Sequence, residues 1–227
     1  RVPTAPRNLN GRRARRNLLT AAAVSASLWT VYTIAAKDTT IEGLSFATAY
    51  VAVGLLAASL SLGPLNLIRG RPNPVSTHLR RDVGIWAAAI AFAHTFLGLQ
   101  VHMAGRLSAY FVYRRPADMS MVDALTVFVT SNYMGALATI LLAVLMSLSS
   151  DFALRRAGTR RWKSLQRLSY ALSVLIVLHG LSYQLLEKRR VEAMVLFGTL
   201  IVSVVVIQMR GACIYRRSKA RDQRPPG

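Results

Sequence analysis

Six long apolar runs divide the chain, at residues 17–36, 43–68, 83–105, 124–150, 168–186 and 193–209. None contains Asp, Glu, Lys or Arg, and none alternates apolar with polar positions. A hydrocarbon core of about 30 Å is crossed by roughly 20 helical residues, with about 17 as the lower limit. All six runs meet that limit, 193–209 only just. Backbone groups in lipid must pair internally, which leaves helices or closed barrels. Barrel strands would be about 10 residues long and alternating, so the pattern predicts an all-α polytopic membrane protein, a six-transmembrane-helix bundle. The first run lacks a small-residue cleavage signal followed by a soluble domain and reads as a membrane span, not a signal peptide.

The punctuation between runs sets the expected boundaries. Helix 1 ends near KDTTIEG (37–43), and helix 2 stops near Gly63-Pro64. Pro72 and Pro74 favour an extended or turning loop before helix 3. Helix 3 then opens at Asp82, a suitable first-turn acid. DFALRRAGTRRWKSLQR (151–167) reads as a basic loop between helices 4 and 5. No loop is long enough for a soluble catalytic domain, and no GxGxxG nucleotide fingerprint is present.

Charge changes the picture next. The net charge of +20 invites a nucleic-acid partner, but 22 of the 29 Lys and Arg fall in 1–16, 69–81, 155–167 and 210–227. Those are the two ends and alternate loops, the signature of the positive-inside rule. The expected organisation is a basic cytoplasmic tail at 1–16, a membrane domain at 17–210 and a second basic cytoplasmic tail at 211–227. Anionic lipid headgroups, not nucleic acid, are the partner of these segments. Orientation has a direct test. In a Cys213→Ser background, a cysteine at Ser120 should react with an impermeant maleimide added outside; labelling only from the cytoplasm overturns the topology. Cys213 is the single cysteine, so neither an internal disulfide nor a thiolate-ligated iron–sulfur cluster is available.

Four histidines carry the candidate chemistry: His78, His94, His102 and His179. His78 falls in a cytoplasmic loop and His102 near the outer end of helix 3, where headgroups and water satisfy an imidazole. His94 stands 12 residues beyond Asp82, and His179 stands 12 beyond Arg167. At about 1.5 Å per residue each lies roughly 18 Å into its helix. The two helices run in the same direction, so the imidazoles share a depth where a polar residue is costly unless it faces a partner or cavity. Either histidine alone is equally well explained by helix packing. The matched depth tips the pair toward ligation of one haem iron from both faces. Ala87, Ala91 and Gly98 share the face of His94 and leave room for a flat macrocycle, or let helices pack closely. Zinc fits less well, because no Cys or carboxylate stands at this depth.

RRDVGIWAAAIAFAHTFLGL (80–99) and RRWKSLQRLSYALSVLIVLHG (160–180) resemble the ferric reductase-like transmembrane domain family. The likeness covers about residues 45–185. It is nearest to the haem-binding membrane subunit of the bacterial methionine sulfoxide reductase system, in the Arg-Arg-x-x-Gly-x-Trp opening of helix 3 and the basic-Trp-Lys-x-Leu segment before helix 5. The resemblance implies an integral protein of the bacterial inner membrane, with His94 and His179 as axial ligands of haem b. Many members stack a second haem nearer the cytoplasm. The matching positions here hold Gln166 and Arg80/Arg81, so one haem is expected.

The function that follows is a membrane cytochrome b subunit, the electron-transfer part of an oxidoreductase. It would pass single electrons to a partner protein or acceptor on the outer face, alone or within a larger membrane complex. A lone outer haem is far from cytoplasmic donors, so a quinol approaching through the bilayer is the expected donor. Asn132 and Tyr133 are its candidate contacts, or contacts of the haem edge. Trp162 and Lys163 read as anchors of helix 5 rather than a flavin site, and Arg106 stands too far above His94 for a haem carboxylate. The competing readings are an accessory subunit without redox turnover and a small transporter. The transporter would predict charged residues within the spans or broken helices.

Overall fold

Thr39 starts the helix around which the others gather. Its hydroxyl accepts from the Glu42 amide at 3.2 Å, and α2 follows over Thr40–Ile68. The computed structural model of the chain describes residues 9–35, 39–71, 77–103, 131–186 and 191–222. Besides α2 it contains α1 (Leu9–Ala35), α3 (Thr77–Met103), α4 (Met134–Leu148), α5 (Asp151–Gln166), α6 (Leu168–Leu186) and α7 (Val191–Asp222). A π-helical turn at residues 131–133 leads into α4. No strand occurs among the described residues. Six helical segments are long and apolar enough to cross a membrane: Ala14–Ala35, Thr40–Ile68, Leu79–Val101, Ser131–Leu148, Arg160–Leu185 and Val191–Ala220. They match the six apolar runs, and the chain is an integral multi-pass membrane protein. Residues 104–105 of the third run and 124–130 of the fourth lie outside the described residues.

Several boundaries differ from the sequence reading, each for a local reason. Gly63-Pro64 does not end α2, which continues through Pro64 to Ile68. A proline in a membrane helix is tolerated where a neighbouring helix packs on the irregularity, and α7 crosses there. A Cβ added at Gly211 would lie 2.6 Å from the Pro64 Cβ, so the approach depends on glycine. The true end comes at Gly70, whose φ of +62° lets its amide reach Leu67 O and the next amide, of Arg71, reach Asn66 O.

α3 begins at Thr77, so Asp82 is not a first-turn acid. It is buried and bonds the Arg16 guanidinium of α1, tying the first span to the third. A buried carboxylate is tolerated only with such a partner. The segment 151–167 is not a loop. It folds as α5, started by Ser150, whose Oγ accepts from the Ala153 amide at 3.1 Å. Arginine is a good helix former, and the Trp162 indole donates to Leu148 O at 2.8 Å, holding α5 against the end of α4. Gly158, at φ +71° and ψ 156°, breaks α5 in the middle. Helix also extends into both basic ends, from Leu9 and to Asp222.

α2 packs on α1, α3 and α7; α3 packs on α4, and α4 on α6. Ala88, Ala138, Leu142, Leu145 and Leu172 form a close-packed cluster among α3, α4 and α6. It lies toward the arginine-rich end of the bundle, and nearer the Glu42 end the same helices part around a cavity. Large apolar side chains on α1 and α7, Trp29 at 70% exposure among them, face outward. Such surface is normal against lipid and anomalous against water.

Candidate cofactor site

His94 on α3 and His179 on α6 come together across the cavity, their ring centroids 6.4 Å apart and their planes at 67°. Their Nδ1 atoms meet backbone carbonyls of other helices. His94 Nδ1 lies 3.0 Å from Ser45 O of α2, and His179 Nδ1 lies 2.6 Å from Ser131 O in the π-helical turn. A carbonyl can only accept, so each Nδ1 carries a proton, and in a neutral imidazole the lone pair is then on Nε2. That is the outer-shell arrangement that orients a metal-ligating imidazole. Two imidazoles bonded to one metal from opposite sides, each at about 2.0–2.1 Å, have centroids about 6–6.5 Å apart. The observed spacing falls in that range.

The cavity has a volume of about 580 Å³ and is lined mainly by apolar side chains. Ala87, Ala91 and Gly98 stand on its wall beside His94, and Ala138, Leu142 and Leu172 of the packed cluster form its floor. Thr95 and Thr139, also on the wall, hydrogen-bond between α3 and α4 at 3.1 Å. Gly135 of α4 lies against the His179 ring so closely that an added Cβ would come within 2.8 Å of its Cε1. Tyr183, one turn beyond His179, meets that ring edge-on with centroids 5.0 Å apart.

The other candidates sort clearly. Asn132 is buried, and its Oδ1 accepts from the Tyr183 hydroxyl at 3.1 Å, so it reaches the site through that ring. Tyr133, one residue on, is 41% exposed and is not on the cavity wall. Gln166 ends α5, and Arg80 and Arg81 lie half-buried in the first turns of α3, away from the cavity. Arg106 and the side chains of His78, His102 and Lys163 lie outside the described residues. Tyr50, Tyr183 and Gln184 are wall residues that the sequence reading did not single out. Tyr183 stands four residues beyond His179, so their shared helix face was available as a signal. Among the described residues no three His, Cys, Asp or Glu side chains gather as a metal-binding group.

Residues 47–177, more than half of the chain, match the family model described as ferric reductase like transmembrane component. The chain belongs to that family. The ferric reductase-like segment contains His94 and stops two residues before His179. Membership therefore bears directly on one imidazole, while the facing geometry brings in the other. Domains of this ferric reductase-like kind generally bind haem.

Proposed function

We propose that this ferric reductase-like protein is the membrane cytochrome b subunit of an oxidoreductase, with one haem b held between His94 and His179. The observation that carries the reading is the facing pair, 6.4 Å apart on one apolar cavity, with both Nδ1 atoms on carbonyls. Two donors are too few for a closed zinc site, which asks for four. They suffice for a metal whose equatorial positions a macrocycle already fills. The small wall residues leave the space such a ring needs. Haem bound there supplies one-electron chemistry, and two imidazole ligands favour electron exchange over binding of substrate at the iron. Ser45 and Ser131 hold the imidazole tautomers, and the apolar floor excludes water.

One haem rather than two is supported by what lies beneath. Ala88, Leu145 and Leu172 are packed below the cavity, and Gln166, Arg80 and Arg81 stand where an inner pair of ligands would be expected. Basic residues at the other end of the bundle make that end cytoplasmic and the cavity end outer. The donor in this reading is quinol from the bilayer. On becoming quinone it releases two electrons, one at a time, and two protons toward the outer side. The acceptor is a partner protein on the outer face. A role as the haem-binding membrane subunit of a bacterial methionine sulfoxide reductase system, in the inner membrane, is the most specific form of the proposal.

The purified protein should show one haem per chain and a reduced-minus-oxidised spectrum of a low-spin, bis-imidazole b haem. A reduced quinol analogue should reduce it faster than NAD(P)H with a flavin reductase. Protein that takes up no haem under any reconstitution would return the chain to the accessory-subunit reading. Reduction by the flavin system alone would remove quinol as donor.

A further inference from the structure

Ser131 and Asn132, successive residues of the π-helical turn before α4, both grip α6. Such turns close i→i+5 and recur at functional sites. Ser131 offers its carbonyl, 2.6 Å from His179 Nδ1. Asn132 offers its side chain, whose Oδ1 accepts from the Tyr183 hydroxyl at 3.1 Å. His179 and Tyr183 are four residues apart and share one face of α6. Their rings meet edge-on, centroids 5.0 Å apart. The contacts therefore close a loop: from His179 to Ser131, along the backbone to Asn132, across to Tyr183 and back to His179. Both turn residues in it are buried. The other imidazole is held differently. His94 Nδ1 lies 3.0 Å from Ser45 O, and the Thr48 hydroxyl reaches the same carbonyl at 3.0 Å. His179 makes the shorter contact of the two, on the carbonyl that the loop holds in place.

We propose that the Tyr183–Asn132 hydrogen bond is a clamp that holds the π-helical turn against α6, keeps Ser131 O on His179 Nδ1, and so sets the donor strength of that imidazole. The proposal rests on the haem reading of the site. An Nδ1–H given to a carbonyl raises the basicity of Nε2 as a ligand. A more basic ligand stabilises ferric over ferrous iron, and hydrogen bonding behind the ligand is one of the protein's levers on haem potential. Tyr183 and Asn132 are then positioning residues, which act through His179 and not on the iron. With the clamp open the turn relaxes, the 2.6 Å contact lengthens, and the ferrous form gains.

Tyr183→Phe keeps the ring and removes the hydroxyl, while Asn132→Leu keeps the volume and removes the acceptor. Each should retain one haem per chain and raise the midpoint potential in a redox titration of the detergent-purified protein. The ferrous-to-ferric ratio at a fixed ambient potential should rise about threefold, a fraction of the about 10–100-fold that losing an outer-shell partner costs. The double variant should show no more than either single one, since both delete the same bond. Ser182→Ala, beside Tyr183, deletes a hydroxyl that bonds within α6, to Leu178 O, and should leave the potential where it is. Tyr183→Phe carries the test alone if the leucine variant fails to fold. A second readout needs no haem. In dithionite-reduced protein with isotopically labelled histidine, the His179 Nδ1–H proton resonance should move upfield in both single variants as the bond lengthens. In haem-loaded protein, an unmoved potential in the single variants, or shifts that add in the double, overturns the proposal. In protein that takes up no haem the haem reading fails on its own, and the resonance decides the clamp: a shift supports it, and no shift overturns it.

Discussion

His94→Ala and His179→Ala are each expected to strip the protein of stoichiometric haem, from about one per chain to a small residue. The two imidazoles are the histidines that line the cavity among the described residues, and each is held by a carbonyl from another helix. Losing an outer-shell partner alone typically lowers metal affinity about 10–100-fold. Losing the ligand itself should do more, since it removes the bond that the outer-shell contact only orients. His78→Ala, by contrast, should leave haem content unchanged. Pyridine haemochrome assay of detergent-purified protein measures the occupancy, and size-exclusion profiles show whether the variants fold. Added imidazole should partly restore the low-spin spectrum in the alanine variants, because the deleted ring leaves a space of its own shape. If both variants keep a full low-spin Soret band, the ligand assignment is wrong.

Gly135→Ala should nearly match that loss without touching a ligand. The added methyl carbon would stand 2.8 Å from His179 Cε1 and 2.9 Å from its Nδ1. The ring has little room to yield in place, because Nδ1 is held by Ser131 O and the ring also packs edge-on with Tyr183. It must swing out of its contact with the carbonyl and away from His94. Haem affinity should fall at least about tenfold, the lower bound for disturbing an outer-shell contact. Gly54→Ala on α2, where an added Cβ meets nothing within 4 Å, is the matched control. It should leave haem content untouched, since alanine favours helix over glycine. Equal haem content in Gly135→Ala and wild type would mean that His179 is not fixed as described.

Much of this arrangement could be read along the chain. Six uncharged runs gave the spans, because lipid tolerates so few solutions for a backbone. Equal spacing from Asp82 and Arg167 set His94 and His179 at one depth, although Asp82 turned out to sit beyond the first turn of α3. Local composition misled at 151–167, where six basic residues suggested a loop. A Ser150 cap and a tryptophan folded onto α4 make it a helix instead. It misled again at Pro64, whose cost as a helix breaker depends on a helix crossing 147 positions later. The partners of Asp82, Tyr50 and Gln184 are similarly remote, separated by 66, 143 and 134 positions. No local pattern carries such pairings. Asn132 and Tyr133 are adjacent and indistinguishable by sequence position, yet one is buried beside Tyr183 and the other faces outward.

The facing pair is assembled from four separate elements: Ser45 of α2, His94 of α3, Ser131 before α4 and His179 of α6. During synthesis these leave the ribosome in that order, so the first imidazole and its carbonyl are in the bilayer well before the second. A nascent chain that has released α3 but not α6 carries half a clamp. Under the proposed ligation, loading must therefore wait until α6 has entered the membrane, and any quality control that senses a filled site also senses insertion of α2 through α6. α7 follows α6. Phe197 near its start closes against Gly180, next to the second imidazole, so the span that follows α6 shuts the wall behind the paired imidazoles.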